Sequence, residues 1–156
     1  MLDNLKLGYG GTKEEMESHY EIKLEKYSQI LNIEVNTMLE MISKDILPAC
    51  YKYISAVSKT AADLKAVVPS AKAEAETTLL LKLDSLADSL SQKAEKLDKV
   101  HKEATGEKDA MAVAKSYADK VIPVMAETRA VADELEELIA EEYKPFPSYE
   151  DLLFRV

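Results

Sequence analysis

The sequence predicts an all-α protein: an antiparallel bundle of three long helices, the first kinked or broken near Pro48, with an aromatic, proline-containing C-terminal tail. Three observations predict it. Glycine (4) and proline (5) are rare among 156 residues, so turns are few. Alanine, leucine, glutamate and lysine are abundant, and these are strong helix formers. Apolar residues recur at steps of three and four, whereas no run of β-branched and aromatic residues alternates between turn signals.

Residues 1–11 read as an irregular lead-in. The stretch "GYGG" (Gly8–Gly11) holds three of the four glycines. It lacks the Lys-Ser/Thr pair and the preceding strand of a phosphate loop. "TKEE" (Thr12–Glu15) has the form of a capping box, which sets a helix start at Lys13. The first helix, about 13–66, carries Tyr20, Leu24, Tyr27, Leu31, Val35, Met38, Ile42, Ile46, Ala49, Tyr53 and Ala56 on one face. Pro48 lies inside it. A proline removes one ladder hydrogen bond and clashes with the preceding turn, so a kink or short break is expected near Lys44–Leu47.

Pro69 and Ser70 restart the chain, with Ser70 the expected N-cap of a second helix, about 70–104. Its face runs Leu79, Leu83, Leu86, Leu90, Ala94, Leu97 and His101. Gly106 is expected to close it in the left-handed conformation. The third helix, about 107–142, repeats Met111, Ala114, Ala118, Val121, Met125, Thr128, Ala132, Leu135 and Ile139, a seam of heptad type interrupted by Pro123. It should stop before Pro145.

The second and third helices span about 35 residues each, roughly 50 Å at 1.5 Å per residue, and the first about 55 residues. Residues 12–142 therefore form one bundle whose first helix overhangs or breaks. Alanine-rich seams allow close approach but bury little area, so part of the first helix and the tail, residues 143–156, should rely on contacts outside the bundle.

The formal net charge is −9. Phosphate binding needs clustered Lys and Arg, which argues against nucleic acid and against an anionic membrane surface. The run "DELEELIAEE" (Asp133–Glu142) holds six carboxylates and no base, and reads first as a solvated helix face. A lone cysteine, Cys50, cannot close an intramolecular disulfide and reads as a small buried apolar residue. With no signal peptide in "MLDNLKLGYGG" and no apolar run long enough to span a bilayer, a cytoplasmic protein is expected.

Catalytic constellations are scarce. The two histidines, His19 and His101, fall on different helices, and a di-iron site would want two Glu-x-x-His motifs facing inward. The chain offers only Asp98-x-x-His101. Zinc lacks ligands, and Cys50 has no local signal of activation. No catalytic, cofactor-binding or metal-binding residue is assigned, and no cofactor is expected in this chain. The reading is a helical interaction or structural domain; a free-standing helical adaptor or coiled-coil module is the alternative.

The tail stands apart. "YKPFPSYEDLLF" (Tyr143–Phe154) holds both phenylalanines, two prolines and two tyrosines. Tyr143, Pro145, Phe146, Pro147, Tyr149, Leu152, Leu153 and Phe154 form the candidate interface. The prolines restrict the backbone and the apolar side chains should not stay in water.

Three stretches together, "SHYEIKLEKYSQILNIEVNTMLEMISKDILPACYKY" (Ser18–Tyr53), "AKSYADKVIPVMAETRAVADELEELI" (Ala114–Ile139) and the tail, resemble the C-terminal region of type III glutamine synthetase, the large bacterial form. The resemblance runs from about Glu14 to Phe154, and the tail pattern Pro-x-Pro-Ser/Thr-Tyr-x-Asp-Leu-Leu-Phe is its most specific part. Lys144 departs from it where Trp is usual, and Val35 where Ala is. The resemblance implies a cytoplasmic, ring-based homo-oligomer that joins glutamate and ammonia using ATP and Mg2+ or Mn2+. It implies that the ligands for nucleotide, metal and glutamate lie in an upstream catalytic domain, and none carries onto this sequence. This chain's expected role is then packing, assembly or regulation, with the catalytic domain and neighbouring subunits as partners.

Overall fold

A computed structural model describes residues 12–146. Among them every regular element is helical, in three continuous rods. The first rod is α1 (Lys13–Met41), a single π-helical turn (Ile42–Ile46) and α2 (Leu47–Val67). The second is α3 (Glu74–Thr105). The third is α4 (Ala110–Ser116), another π turn (Tyr117–Val121) and α5 (Ile122–Leu138).

The start of α1 follows from its local chemistry. Thr12 Oγ1 accepts from the Glu15 amide at 3.2 Å, and Glu15 accepts in return from the Thr12 amide at 2.9 Å. Both hydrogen bonds of a capping box are thus made.

Neither internal proline breaks its rod. Each sits just beyond a π turn, where Leu47 N–H bonds the Ile42 carbonyl and Ile122 N–H bonds the Tyr117 carbonyl, five residues back. A proline ring clashes with the carbonyl four residues before it, and widening that turn by one residue makes room.

The ends of the second rod differ from expectation. Ser70 does not cap it; the chain turns at Val68, whose carbonyl accepts from the Ala71 amide at 2.9 Å, and α3 starts after Ala73. Ala73 takes φ 52° and ψ 43°, the left-handed region that a Cβ disfavours. Its carbonyl accepts from both the amide and the hydroxyl of Thr77, at 3.0 and 2.8 Å. Gly106, expected to be left-handed, has φ −82° and ψ −8°. The third rod starts at Ala110 because the Asp109 carboxylate caps the Met111 amide at 3.0 Å. It ends at Leu138, after which Ile139 is extended and Glu141–Tyr143 form one 3-10 turn.

The core is in two parts. One cluster gathers Leu31 and Val35 from the first rod, Leu97 and Ala104 from the second, and Tyr117, Val121 and Val124 from the third. The other gathers Ile42, Ile46 and Cys50 with Leu83, Ala87 and Leu90, and with Ala132, Leu135 and Ile139. Low-numbered parts of the first and third rods therefore meet the high-numbered part of the second. Within the third seam, Tyr117 is buried and Ala118 exposed, and Val124 lies deeper than Met125. Steps of three and four both land near one face, and the large Tyr117 ring takes the space beside His101, edge-on at 5.9 Å.

The first rod outruns the others. From Lys13 to Tyr27 only Leu24 is even half-buried. This arm leaves Met16 (64% exposed), Tyr20 and Ile22 in water.

Candidate docking groove

A groove of about 620 Å3 lies between the first and third rods. Ile33, Met38 and Met41 form the first-rod wall, Met125, Arg129 and Glu136 the third-rod wall. Along the first rod it runs from Ile33 to Ile46, thirteen residue steps, or about 20 Å at 1.5 Å each. Its size is in the range of ligand-sized cavities, ~300–1,000 Å3. Burial holds the Glu136 carboxyl above the usual carboxylate range, and the nearby Asp133 charge pushes it the same way. Arg129 reaches only 3.9 Å from Asp133.

The tail begins on this bundle. Tyr143 packs against Tyr53, ring centroids 5.3 Å apart. Phe146 lines the groove and packs on the cluster containing Ile46 and Ile139. Pro145 is half-buried between them. Pro147, Tyr149, Leu152, Leu153 and Phe154 of the candidate interface lie outside the described residues. Lys144 forms an ion pair with Glu141 at 2.7 Å.

Part of the acidic run is paired. Glu134 meets Lys82 at 3.4 Å, while Glu127, just before the run, meets Lys93 and Lys96 at 3.2 and 3.3 Å. These contacts tie the third rod to the second at the surface, where each contributes little.

The two histidines are far apart in character. His19 is on the exposed arm. His101 is buried, its Nε2 2.8 Å from Asn32 Oδ1. Burial lowers its pKa below the ordinary 6.5, the Asp98 charge opposing and Lys102 assisting. Among the described residues no group of three or more His, Cys, Asp or Glu side chains is gathered to hold a metal ion. No described helix is long and apolar enough to cross a membrane. Cys50 is fully buried, and its thiol is pushed up to about 11 by burial, with Asp84 adding to it. A thiol so protonated is a poor nucleophile.

Sequence reasoning singled out the tail, of which Tyr143 and Phe146 pack on the bundle, but missed the groove. Ile33 and Met41 lie off the apolar seam of the first helix. These two large apolar residues off that seam are the sequence signal that would have pointed to the groove.

The family model described as "Glutamine synthetase C-terminal domain" matches residues 11–65. The chain is 37% identical over 143 residues to a "Glutamine synthetase" from Butyrivibrio fibrisolvens, covering 92% of this chain and 20% of that protein. It is 26% identical over 144 residues to a "Type-3 glutamine synthetase" from Dictyostelium discoideum, covering 90% of this chain and 20% of that protein. The chain thus spans about a fifth of the length of the curated relatives it matches. The matched residues, 11–65, take in the capping box, the arm, the first π turn and the first-rod wall of the groove. By these matches the chain resembles the C-terminal domain of type III glutamine synthetases.

Proposed function

We propose that this chain is the non-catalytic, helical C-terminal domain of a cytoplasmic type III glutamine synthetase, an antiparallel three-helix bundle that packs against the catalytic body and orders or regulates neighbouring subunits. The observation that carries the reading is a match across nine-tenths of this chain to only a fifth of its relatives. The arm supports it: Met16, Tyr20 and Ile22 are exposed apolar side chains on one protruding helix, a surface suited to a partner. In this reading ATP and Mg2+ or Mn2+ are used by the full-length homo-oligomer, at sites in the upstream domain. The reaction there is ATP-dependent joining of glutamate and ammonia for nitrogen assimilation. The partners are that domain and adjacent subunits, not nucleic acid or membrane.

Two measurements test it. The isolated chain should form no glutamine from glutamate, ammonia and ATP above a no-protein control; turnover would sink the proposal. The reading frame upstream of Leu2 should continue into a catalytic domain. A natural stop with a ribosome site there would favour a free-standing adaptor instead.

A further inference from the structure

We propose that the groove between the first and third rods is the seat of this chain's own last ten residues, 147–156, an assignment that does not depend on the synthetase reading. Direction is the first argument. Tyr143 stands at Tyr53, and three residues later Phe146 lines the groove and touches the cluster of Ile46. The chain is thus already travelling toward lower numbers along the first rod, the direction in which the groove extends to Ile33 and Met125.

Length is the second argument. Ten extended residues reach at most about 33–36 Å. The groove extends about 20 Å beyond Ile46, so the segment can fill it without stretching.

Chemistry is the third. The groove offers Ile33, Met38, Met41 and Met125, and methionine adapts its shape to the side chain it meets. The segment "PSYEDLLFRV" brings Tyr149, Leu152, Leu153 and Phe154. Pro145 and Pro147, flanking Phe146, reduce the freedom lost on seating. A covalently attached segment also needs no bimolecular encounter, which favours it over a second copy at low concentration.

The chain has no tryptophan, so Phe154→Trp in the 156-residue protein gives a single reporter. The expected result is blue-shifted emission, protected from acrylamide and unchanged on dilution. Adding Ile33→Asp should shift it to the red, while Ile22→Asp on the arm should leave it unmoved, with helix content held by circular dichroism in both. Red, freely quenched emission from Phe154→Trp alone overturns the proposal. Blue emission that reddens on dilution assigns the groove to another copy's tail and also overturns it. Blue emission indifferent to Ile33→Asp places the segment elsewhere and overturns it equally.

Discussion

Asn32 Oδ1 sits 2.8 Å from His101 Nε2 and so joins the first rod to the second across 69 residues of sequence. The same oxygen accepts from Asn36 Nδ2 at 3.2 Å. An amide oxygen only accepts, so Nε2 carries the proton in this bond. Burial disfavours the charged imidazole in the folded state and so lowers its pKa. In the unfolded chain it titrates near its ordinary 6.5. Below that pH the unfolded state binds more protons, so stability is lost as pH falls from 6.5 toward the lowered folded value. Glu136, whose pKa is raised, acts in the opposite sense, losing stability as pH rises above 4.5. The difference between the parent and His101→Gln isolates the histidine. Urea midpoints should fall for the parent between pH 7 and 5 and fall less for His101→Gln. Parallel curves would show that His101 does not couple to folding.

Tyr117 is 1% exposed, and its hydroxyl has no hydrogen-bond partner among the described residues. A buried hydroxyl without a partner costs about 1–3 kcal/mol. Tyr117→Phe keeps the ring against His101 and removes the stranded group. It should leave stability unchanged or raise it by up to about 1 kcal/mol in denaturant unfolding. A loss of that size would mean the hydroxyl has a bound partner.

Cys50 should behave as core rather than as a reactive thiol. With the thiol pushed up to about 11, only a minute fraction is thiolate at pH 8. Iodoacetamide followed by mass spectrometry should find it unmodified in the native protein and modified in denaturant. Rapid native labelling would contradict its packing against Leu83 and Ala87.

Leu97 and Leu81 share a helix but not a role. Leu97 is fully buried beside Leu31 and Tyr117, while Leu81 is 67% exposed. Leu97→Ala should cost about 2–5 kcal/mol by leaving a cavity. Leu81→Ala should stay within about 0.5 kcal/mol, as surface changes do. Chemical denaturation of both variants gives the comparison directly.

The rods were legible because spacing, capping and proline placement agree. The second seam, Leu79 to His101, is buried or half-buried at every position. Thr12 and Glu15 announced their cap by residue type alone. Other features depend on tertiary contacts that spacing does not encode. Tyr117 rather than Ala118 faces inward because the ring meets His101. Tyr20 and Tyr27 continue the seam of the first helix but are exposed, since the other two rods do not extend that far. Ala73 replaces Ser70 at the helix start against local preference, held by two bonds from Thr77. The groove escaped notice because it lies between two seams, and each seam is legible only along its own helix. Of the candidate interface, Tyr143 and Phe146 pack on the bundle and Pro145 is half-buried, while the later residues fall outside the described range.

The arm of the first rod is, mechanically, an outrigger. It is gripped from Ser28 onward and free from there to Lys13, a span of about 22 Å at 1.5 Å per residue. A cantilever of that length turns small rotations into large displacements: a tilt of about 10° at the grip swings the tip about 4 Å sideways. Whatever fastens to Met16 and Tyr20 therefore gains leverage over the bundle, and slight repacking around Ser28 and Asn32 is magnified at the far end.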